Sequence, residues 1–231
     1  MTTIKAPTDD PRFTAPLYTV KQAAAFLREP ETRVRYWVQG RGLSGPLVTS
    51  RPSPLRLEAE IPFIGLAEGL IVSFLRRKNL SLQYIRRALD KLGQEMTIDY
   101  ALASRRFYTD GLSALYRYKA TPDEDFAPLA EILSQQYVME KVVEDNLELI
   151  TFAPDGWAGR LVLPFVTDRE IIEVDPKRGF GKPLFIHGGA RLQDVLARLR
   201  ARESAQEVAK DFGVPLEDVL DIVSALLPEA A

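Results

Sequence analysis

The sequence has no cysteine and one histidine among its 231 residues, and these scarcities remove whole classes of chemistry. Without cysteine there is no disulfide, no thiolate metal site and no cysteine nucleophile. One histidine excludes a metal centre built from several histidines and leaves His187 as the one candidate base for a Ser-His-Asp triad. We therefore expect neither a metal nor another cofactor.

Long apolar runs are also missing. Arg, Glu, Gly or Pro interrupts every apolar stretch before the roughly 18 residues that a membrane span needs, and the opening residues lack the apolar core of a signal peptide. We expect a cytoplasmic protein with no membrane association. Hydrophobic residues make up 46% of the chain and charged residues 27%, which fits a globular protein of one large domain or two to three small ones.

The net charge of −2 conceals an uneven distribution along the chain. Residues 1–94 hold 15 Lys/Arg against 8 Asp/Glu, residues 95–170 hold 7 against 14, and residues 171–231 hold 8 against 10. A basic first third on an otherwise acidic chain favours a polyanionic partner for that segment, because Lys and Arg gain affinity by displacing counterions from phosphates. Ordinary helix surface charge is the competing explanation.

The basic segment contains the spacing of a helix-turn-helix. Thr19 is a predicted N-cap for a helix ending at Leu27, and Pro30 then separates this helix from a second one, residues 31–39, which Gly40 ends. On the second helix one face is apolar, and the other carries Thr32, Arg33, Arg35 and Tyr36. One face can pack on the first helix while the other enters a major groove.

A Gly-, Pro- and Arg-rich stretch over residues 42–56 follows and is typical of a β-wing. Its Arg51 and Arg56 could reach phosphates or the minor groove, and Arg41 precedes it. Two more helices are predicted, over residues 62–78 and 81–92, the second capped by Ser81.

Residues 17–92 resemble the winged-helix DNA-binding domain of MerR-type regulators. The resemblance rests on LYTVKQAAAFLREPETRVRYWVQ and LSLQYIRRAL, in this order, whereas the wing GLSGPLVTSRPSPLRLEAEIPF departs from the usual short form. It implies binding of operator duplex DNA, usually by a homodimer that reads paired half-sites. The expected DNA contacts are Thr32, Arg33, Arg35, Tyr36, Arg41, Arg51 and Arg56.

The last segment shows a second helix-turn-helix outline. Two short strands are predicted within residues 170–176 and 179–186, followed by helices over 191–202, 204–212 and 216–227. Ser204 and Glu207 form a predicted capping box, and Gly213 makes the turn. The last helix carries acidic side chains, which a major groove would repel, so this unit is better suited to docking a protein.

The sequence IIEVDPKRGFGKPLFIHGGARLQDVLARLRARESAQEVAKDFGVPLEDVLDIVSAL resembles a small antitoxin-associated domain. A MerR-like N-terminal domain joined to this C-terminal domain resembles the longer VapB-type antitoxins, which are encoded beside a PIN-like ribonuclease toxin. The resemblance implies a protein that neutralises its toxin and represses its own operon. Because ribonuclease clefts tend to be electropositive, Asp218 and Asp221 are the expected toxin contacts.

The middle segment is the hardest to interpret. Residues 105–118 have the pattern of a β-hairpin with Asp110-Gly111 at the turn, and residues 129–149 form an acidic helical region that either serves a dimer or packs within the chain. The predicted fold is α+β and mostly helical. Its expected divisions are a winged helix over 1–94, a middle region over 95–170 and an antitoxin-associated domain over 171–231.

The remaining motifs favour no enzyme. His187 has no nucleophile motif beside it, Asp123-Glu124-Asp125 is typical of a solvated loop, and the stretch 179–182 lacks the spacing of a phosphate-binding loop. Two alternatives stay open: a MerR-like regulator that senses a small molecule through its C-terminal half, and a nuclease or other enzyme, which would need convergent carboxylates.

Overall fold

The structure is a computed structural model of the chain. It describes residues 5–7, 9–40, 45–51, 59–77, 81–83, 85–86, 89, 98–107, 148–163 and 169–226. Within these ranges, the protein consists of helices and a small four-stranded antiparallel sheet. The prediction of a mostly helical α+β fold is confirmed.

Four helices form the N-terminal part: α1 (Pro11–Thr14), α2 (Val20–Leu27), α3 (Glu31–Gln39) and α4 (Phe63–Arg77). The predicted cap of α2 is confirmed, since Thr19 and Gln22 bond reciprocally through side chain and backbone. Helix α3 ends at Gly40, whose φ of 70° favours glycine, as predicted. Helix α4 packs against α2 and is almost entirely buried up to Ser73.

The sheet is a meander of β1 (Ile150–Phe152), β2 (Ala158–Val162), β3 (Ile172–Val174) and β4 (Leu184–Phe185), paired in that order. Strands β3 and β4 lie within the two segments predicted as strands. The other two strands were not anticipated. Sequence signals were weak there, because β1 has three residues and its register with β2 shifts between Thr151 and Phe152.

The C-terminal part consists of α5 (Leu192–Arg200), α6 (Ala205–Phe212) and α7 (Leu216–Leu226). All three predicted helices are confirmed within two residues at each end. Ser204 caps α6 as predicted by accepting a hydrogen bond from the Glu207 backbone N–H. The capping box is incomplete, however, because the Glu207 carboxylate accepts from the Ser204 hydroxyl at 2.8 Å.

One continuous cluster of buried apolar side chains links the two ends of the chain, from Phe13 to Ile222. Polar contacts also join the N-terminal helices to the turns of the C-terminal sheet. The buried Arg12 on α1 pairs with Asp155 in the β1–β2 turn, and the Tyr18 hydroxyl donates to the Gly181 carbonyl at 2.8 Å. The N-terminal helices and the C-terminal sheet therefore share a core, while the three sequence divisions stay a prediction.

The predictions for the middle segment are corrected where the structure describes it. Residues 105–107, the start of the expected hairpin, lie in a helical turn, and residues 148–149, the end of the expected helix, form a turn into β1. The intervening residues, with Asp110-Gly111 and Asp123-Glu124-Asp125, lie outside the described residues. The local pattern was misleading because Arg105 donates its backbone N–H to Gly156, in a turn distant in sequence.

Candidate nucleic-acid interface

Helix α3 divides into the two faces that its sequence indicated. Val34, Trp37 and Val38 are buried against the core. Thr32 and Arg33 are exposed, while Arg35 and Tyr36 are half-buried. Because α2 and α3 pack together, the polar face of α3 points away from α2 and can approach a duplex.

The guanidinium of Arg33 is held by a buried carboxylate. Its Nη1 lies 2.5 Å from Glu29 Oε2, and the Glu29 side chain is 3% exposed whereas that of Arg33 is 45% exposed. The second Glu29 oxygen accepts from the Ser73 hydroxyl of α4 at 2.6 Å. The buried Glu29 carboxylate thus orients the Arg33 guanidinium, and the nitrogens on its exposed side remain available to DNA.

Arg35 has a weaker attachment. Its Nη2 lies 2.6 Å from Glu31 Oε1 in an i,i+4 pair in which both side chains are partly exposed. Exposed pairs of this kind contribute little to stability and are screened by salt. A phosphate can therefore displace Glu31 from Arg35 at small cost.

Tyr36 makes a contact that sequence reasoning missed. The Arg86 guanidinium stacks over the Tyr36 ring at 5.0 Å and donates to its hydroxyl at 3.3 Å. Arg86 also donates to the Gly45 carbonyl at 3.1 Å, at the start of the predicted wing. The signal was present in LSLQYIRRAL, but helical periodicity alone did not show which arginine faces α3.

The described base of the predicted wing is anchored to α4. Arg51 is exposed, and its backbone N–H donates to the Glu60 carbonyl at 2.6 Å. The Thr49 N–H donates to the buried Glu68 carboxylate at 2.6 Å. Arg41 and Arg56, the other arginines expected to contact DNA, lie outside the described residues.

Glu68 has an unusual protonation equilibrium. Burial raises its pKa to about 7, because loss of hydration penalises the charged carboxylate more than the Thr49 hydrogen bonds stabilise it. Gly65, one turn earlier on α4, lets the backbone at residue 49 approach, since a Cβ at position 65 would lie 2.2 Å from the Thr49 carbonyl oxygen. Helix α4 therefore positions the segment that enters the wing.

The acidic residues of α7 are not equally accessible. Asp218 is 1% exposed, and it accepts from Arg169 at 2.6 Å and lies 3.2 Å from His187 Nδ1. A direct toxin contact by Asp218 does not fit this geometry, because its carboxylate is enclosed by its partners. Asp221 is partly exposed and bonds Arg169 at 2.7 Å.

The outer surface of α7 is instead apolar and acidic. Leu216 is 38% exposed and Leu220 49% exposed, one helical turn apart, with the exposed Glu217 between them in sequence. His187 lies in the turn after β4, where it contacts Asp218. Among the described residues, no group of three or more His, Cys, Asp or Glu side chains is placed to hold a metal ion.

No described helix is both long and apolar enough to cross a bilayer. The α2–turn–α3 arrangement, with a buried and a polar face on α3, defines the chain as a helix-turn-helix protein. In agreement, residues 16–89 match the family described as "Putative DNA-binding HTH domain".

The chain is also 36% identical, over 93% of its length and 96% of the relative, to the "Putative antitoxin VapB45" of Mycobacterium tuberculosis. It belongs to the family of this protein. The crystal structure of Rv2018 from Mycobacterium tuberculosis is similar with a TM-score of 0.75 and 32% identity, covering 92% of this chain and 99% of that one. The matched family and the curated relative are described as a DNA-binding domain and an antitoxin, and neither description names an enzyme.

Proposed function

We propose that this protein is an antitoxin that represses its own operon by binding operator DNA and neutralises a cognate PIN-like ribonuclease toxin. The DNA-binding part of this proposal rests on Arg33 and Arg35 on the exposed face of α3. The buried Glu29 carboxylate holds Arg33 in place. The predicted MerR-like wing, with Arg41, Arg51 and Arg56, would add phosphate contacts. Such a function requires access to the chromosome, so we expect the protein in the cytoplasm.

The DNA half is tested with the double variant Arg33→Ala/Arg35→Ala. Each good base contact contributes about 1–3 kcal/mol, so we expect the double variant to lose about 2–6 kcal/mol of affinity for a duplex taken from upstream of the protein's own reading frame. Fluorescence anisotropy at fixed salt measures this loss. The matched control is Arg200→Ala/Lys210→Ala, which removes two exposed positive charges from α5 and α6.

Arg33→Ala also leaves Glu29 buried with the Ser73 hydroxyl as its described partner, and so lowers stability. The single variant Arg35→Ala avoids this problem, because its partner Glu31 is exposed. Unchanged affinity of a folded Arg35→Ala protein and of the double variant would remove α3 from the DNA interface.

The toxin-binding part of the proposal rests on the similarity to VapB45 and on the surface of α7. We place the toxin contact on Leu216, Glu217 and Leu220, with Asp221 at the rim. In this proposal Asp218 acts indirectly, by holding Arg169 against α7. Two exposed leucines one turn apart, beside a carboxylate, fit a partner groove that is apolar and edged with basic residues.

This half is tested by co-expression with the adjacent reading frame and co-purification. Truncation before the C-terminal part is unsuitable, because removing β3 and β4 would open a core shared with the N-terminal helices. We expect Leu216→Ala/Leu220→Ala to weaken toxin binding by roughly tenfold or more, since truncating a buried interface anchor costs above about 1 kcal/mol. The control Gln193→Ala/Gln206→Ala removes two exposed uncharged side chains from α5 and α6. Equal binding by all three proteins would contradict the assignment.

A homodimer, or a twofold assembly with the toxin, completes the proposal. One helix-turn-helix covers little DNA, and a second copy doubles the contacts and reads a paired half-site. Light scattering should give twice the mass of the 25.9 kDa chain for the protein alone, or two copies of the chain in its complex with DNA or with the toxin. One copy of the chain alone, on DNA and with the toxin would contradict it.

A further inference from the structure

An exposed aromatic side chain stands at the tip of the turn between β3 and β4. We call residues Lys177–Lys182 the Phe180 turn. Phe180 is 81% exposed, and its φ of 55° lies in the left-handed region, between Gly179 and Gly181 with φ of 56° and 71°. Phenylalanine rarely adopts this conformation, and an exposed ring contributes little to the core.

The surrounding structure fixes this strained conformation. A Cβ at position 179 would lie 2.9 Å from Leu184 Cδ2, and a Cβ at position 181 would lie 2.8 Å from Leu17 Cδ1. The Tyr18 hydroxyl donates to the Gly181 carbonyl, and the Lys177 N–H donates to Asp175 Oδ1 at 2.8 Å. The fold thus holds Phe180 in a strained conformation that exposes its apolar ring. This combination indicates that the ring binds a partner and does not serve the packing of the core.

The turn also presents positive charge. Lys177 and Lys182 are exposed at its two ends. Arg178 between them is paired with the buried Glu173 of β3, so it serves the fold. The carboxylate of Asp10 attracts Lys177 and is itself paired with Arg12 at 2.7 Å. A rigid aromatic tip between two solvent-facing ammonium groups fits a polyanion with an apolar surface.

The position of the turn indicates that this polyanion is duplex DNA. Gly181 contacts Leu17 and Tyr18, the two residues immediately before Thr19, which caps α2. In helix-turn-helix complexes the first helix of the pair crosses the DNA backbone while the second enters the major groove. The Phe180 turn therefore lies beside the N-terminus of α2.

We propose that the Phe180 turn is an additional contact to duplex DNA, flanking the helix-turn-helix. Lys177 and Lys182 neutralise phosphates, and the Phe180 ring packs against the sugar edges of the adjoining minor groove. This inference rests on the proposed DNA binding and extends the interface to a part of the chain outside the matched helix-turn-helix domain.

The test measures anisotropy of the full-length protein with a labelled 40-base-pair duplex from upstream of its own reading frame, over a salt series. Each phosphate contact contributes about 0.9 to the slope of log K against log salt. We expect Lys177→Ala/Lys182→Ala to reduce that slope by about 2, and Arg200→Ala/Lys210→Ala to leave it unchanged. Phe180→Ala should weaken binding roughly three- to tenfold at an unchanged slope, as for losing a small apolar contact.

Phe180→Gly separates binding from folding. Glycine adopts a φ of 55° without strain, so this variant should melt no lower than the parent protein while losing DNA affinity as Phe180→Ala does. Hydroxyl-radical footprints should shorten at the outer flank of each half-site and keep the central protection.

Three outcomes overturn the proposal, and they are distinguishable. If Arg33→Ala/Arg35→Ala loses binding while the turn variants bind like the parent, DNA binding stands and the turn is not part of it. If the turn variants keep DNA affinity but lose toxin capture, the turn is a protein contact. If the parent protein itself fails to bind the duplex, the proposed function and this extension both fail.

Discussion

The helix pairs α2–α3 and α6–α7 follow one plan at opposite ends of the chain. A hydroxyl side chain caps the first helix in each pair, Thr19 in one and Ser204 in the other. Each first helix has eight residues and is followed by a left-handed residue, Arg28 or Gly213. In each pair a proline carbonyl, from Pro30 or Pro215, accepts the first backbone hydrogen bonds of the second helix.

The correspondence extends to the buried side of the second helix. Val34 of α3 corresponds to Val219 of α7, and Trp37 corresponds to Ile222, and all four side chains are buried. Caps, turn and apolar face thus specify the same local backbone twice.

The two pairs differ where side chains reach solvent. Arg35 on α3 corresponds to Leu220 on α7, and the buried Glu29 corresponds to the buried Val214. One pair presents guanidinium groups supported by a buried carboxylate, while the other presents leucine beside acids. The two pairs share a backbone plan and differ in the side chains that they expose, so we expect them to bind different partners.

Exchanging the buried residues at the turn should give the largest effect. Glu29 has the Ser73 hydroxyl and Arg33 as partners, whereas Val214 packs near Gly188. We expect Val214→Glu to lower the free energy of unfolding by more than about 3 kcal/mol, because it buries a carboxylate without such partners. Urea denaturation measures the change.

The reciprocal variant Glu29→Val is the control for this exchange. It removes a buried charge and leaves Arg33, which is partly exposed and can be hydrated, so its cost should be about 1–2 kcal/mol. Equal costs for the two substitutions would show that the polar partners of Glu29 are irrelevant.

The two regions also differ in how a buried carboxylate is supported. Asp218 is paired with Arg169, whereas Glu68 accepts from the Thr49 backbone. The pKa of Glu68 is raised to about 7, so the folded protein holds this proton more tightly than the unfolded chain. The stability from this site is fully present below the ordinary glutamate pKa of about 4.3 and is lost as pH rises through about 7.

Glu68→Gln should abolish this part of the pH dependence. The parent protein should lose up to about 3 kcal/mol of unfolding free energy between about pH 4 and 8 relative to the variant, at 1.36 kcal/mol per pKa unit. Parallel denaturation series across that range measure the difference. Glu31→Gln, at an exposed carboxylate, is the control and should follow the parent curve. A Glu68→Gln curve parallel to the parent would refute the assignment.

The caps should give the smallest and most equal effects. Thr19→Ala and Ser204→Ala each remove one side-chain acceptor from a helix N-terminus, so each should cost about 1 kcal/mol of stability. Thr32→Ala, an exposed threonine within α3, should be near neutral. Thermal unfolding of the three variants checks this expectation. A cost confined to one cap would show that the two pairs are not equivalent local structures.

The sequence by itself determined the elements of both helix pairs. Caps, proline positions and apolar spacing are local signals, read within one or two helical turns, and they predicted α2, α3, α6 and α7 closely. The same spacing separated the buried face of α3 from the face with Arg33 and Arg35. These features were predictable because each depends on residues a few positions apart.

The tertiary structure decided which polar groups are free and which are enclosed. Glu29 meets Ser73 across 44 positions, Tyr36 meets Arg86 across 50, and Asp218 meets Arg169 across 49. Helical periodicity gives the direction of a side chain but not the partner that the fold brings to it. Asp218 therefore looked like a surface acid in the sequence, yet it is buried, because a segment 49 residues earlier in the chain supplies the arginine that makes its burial tolerable.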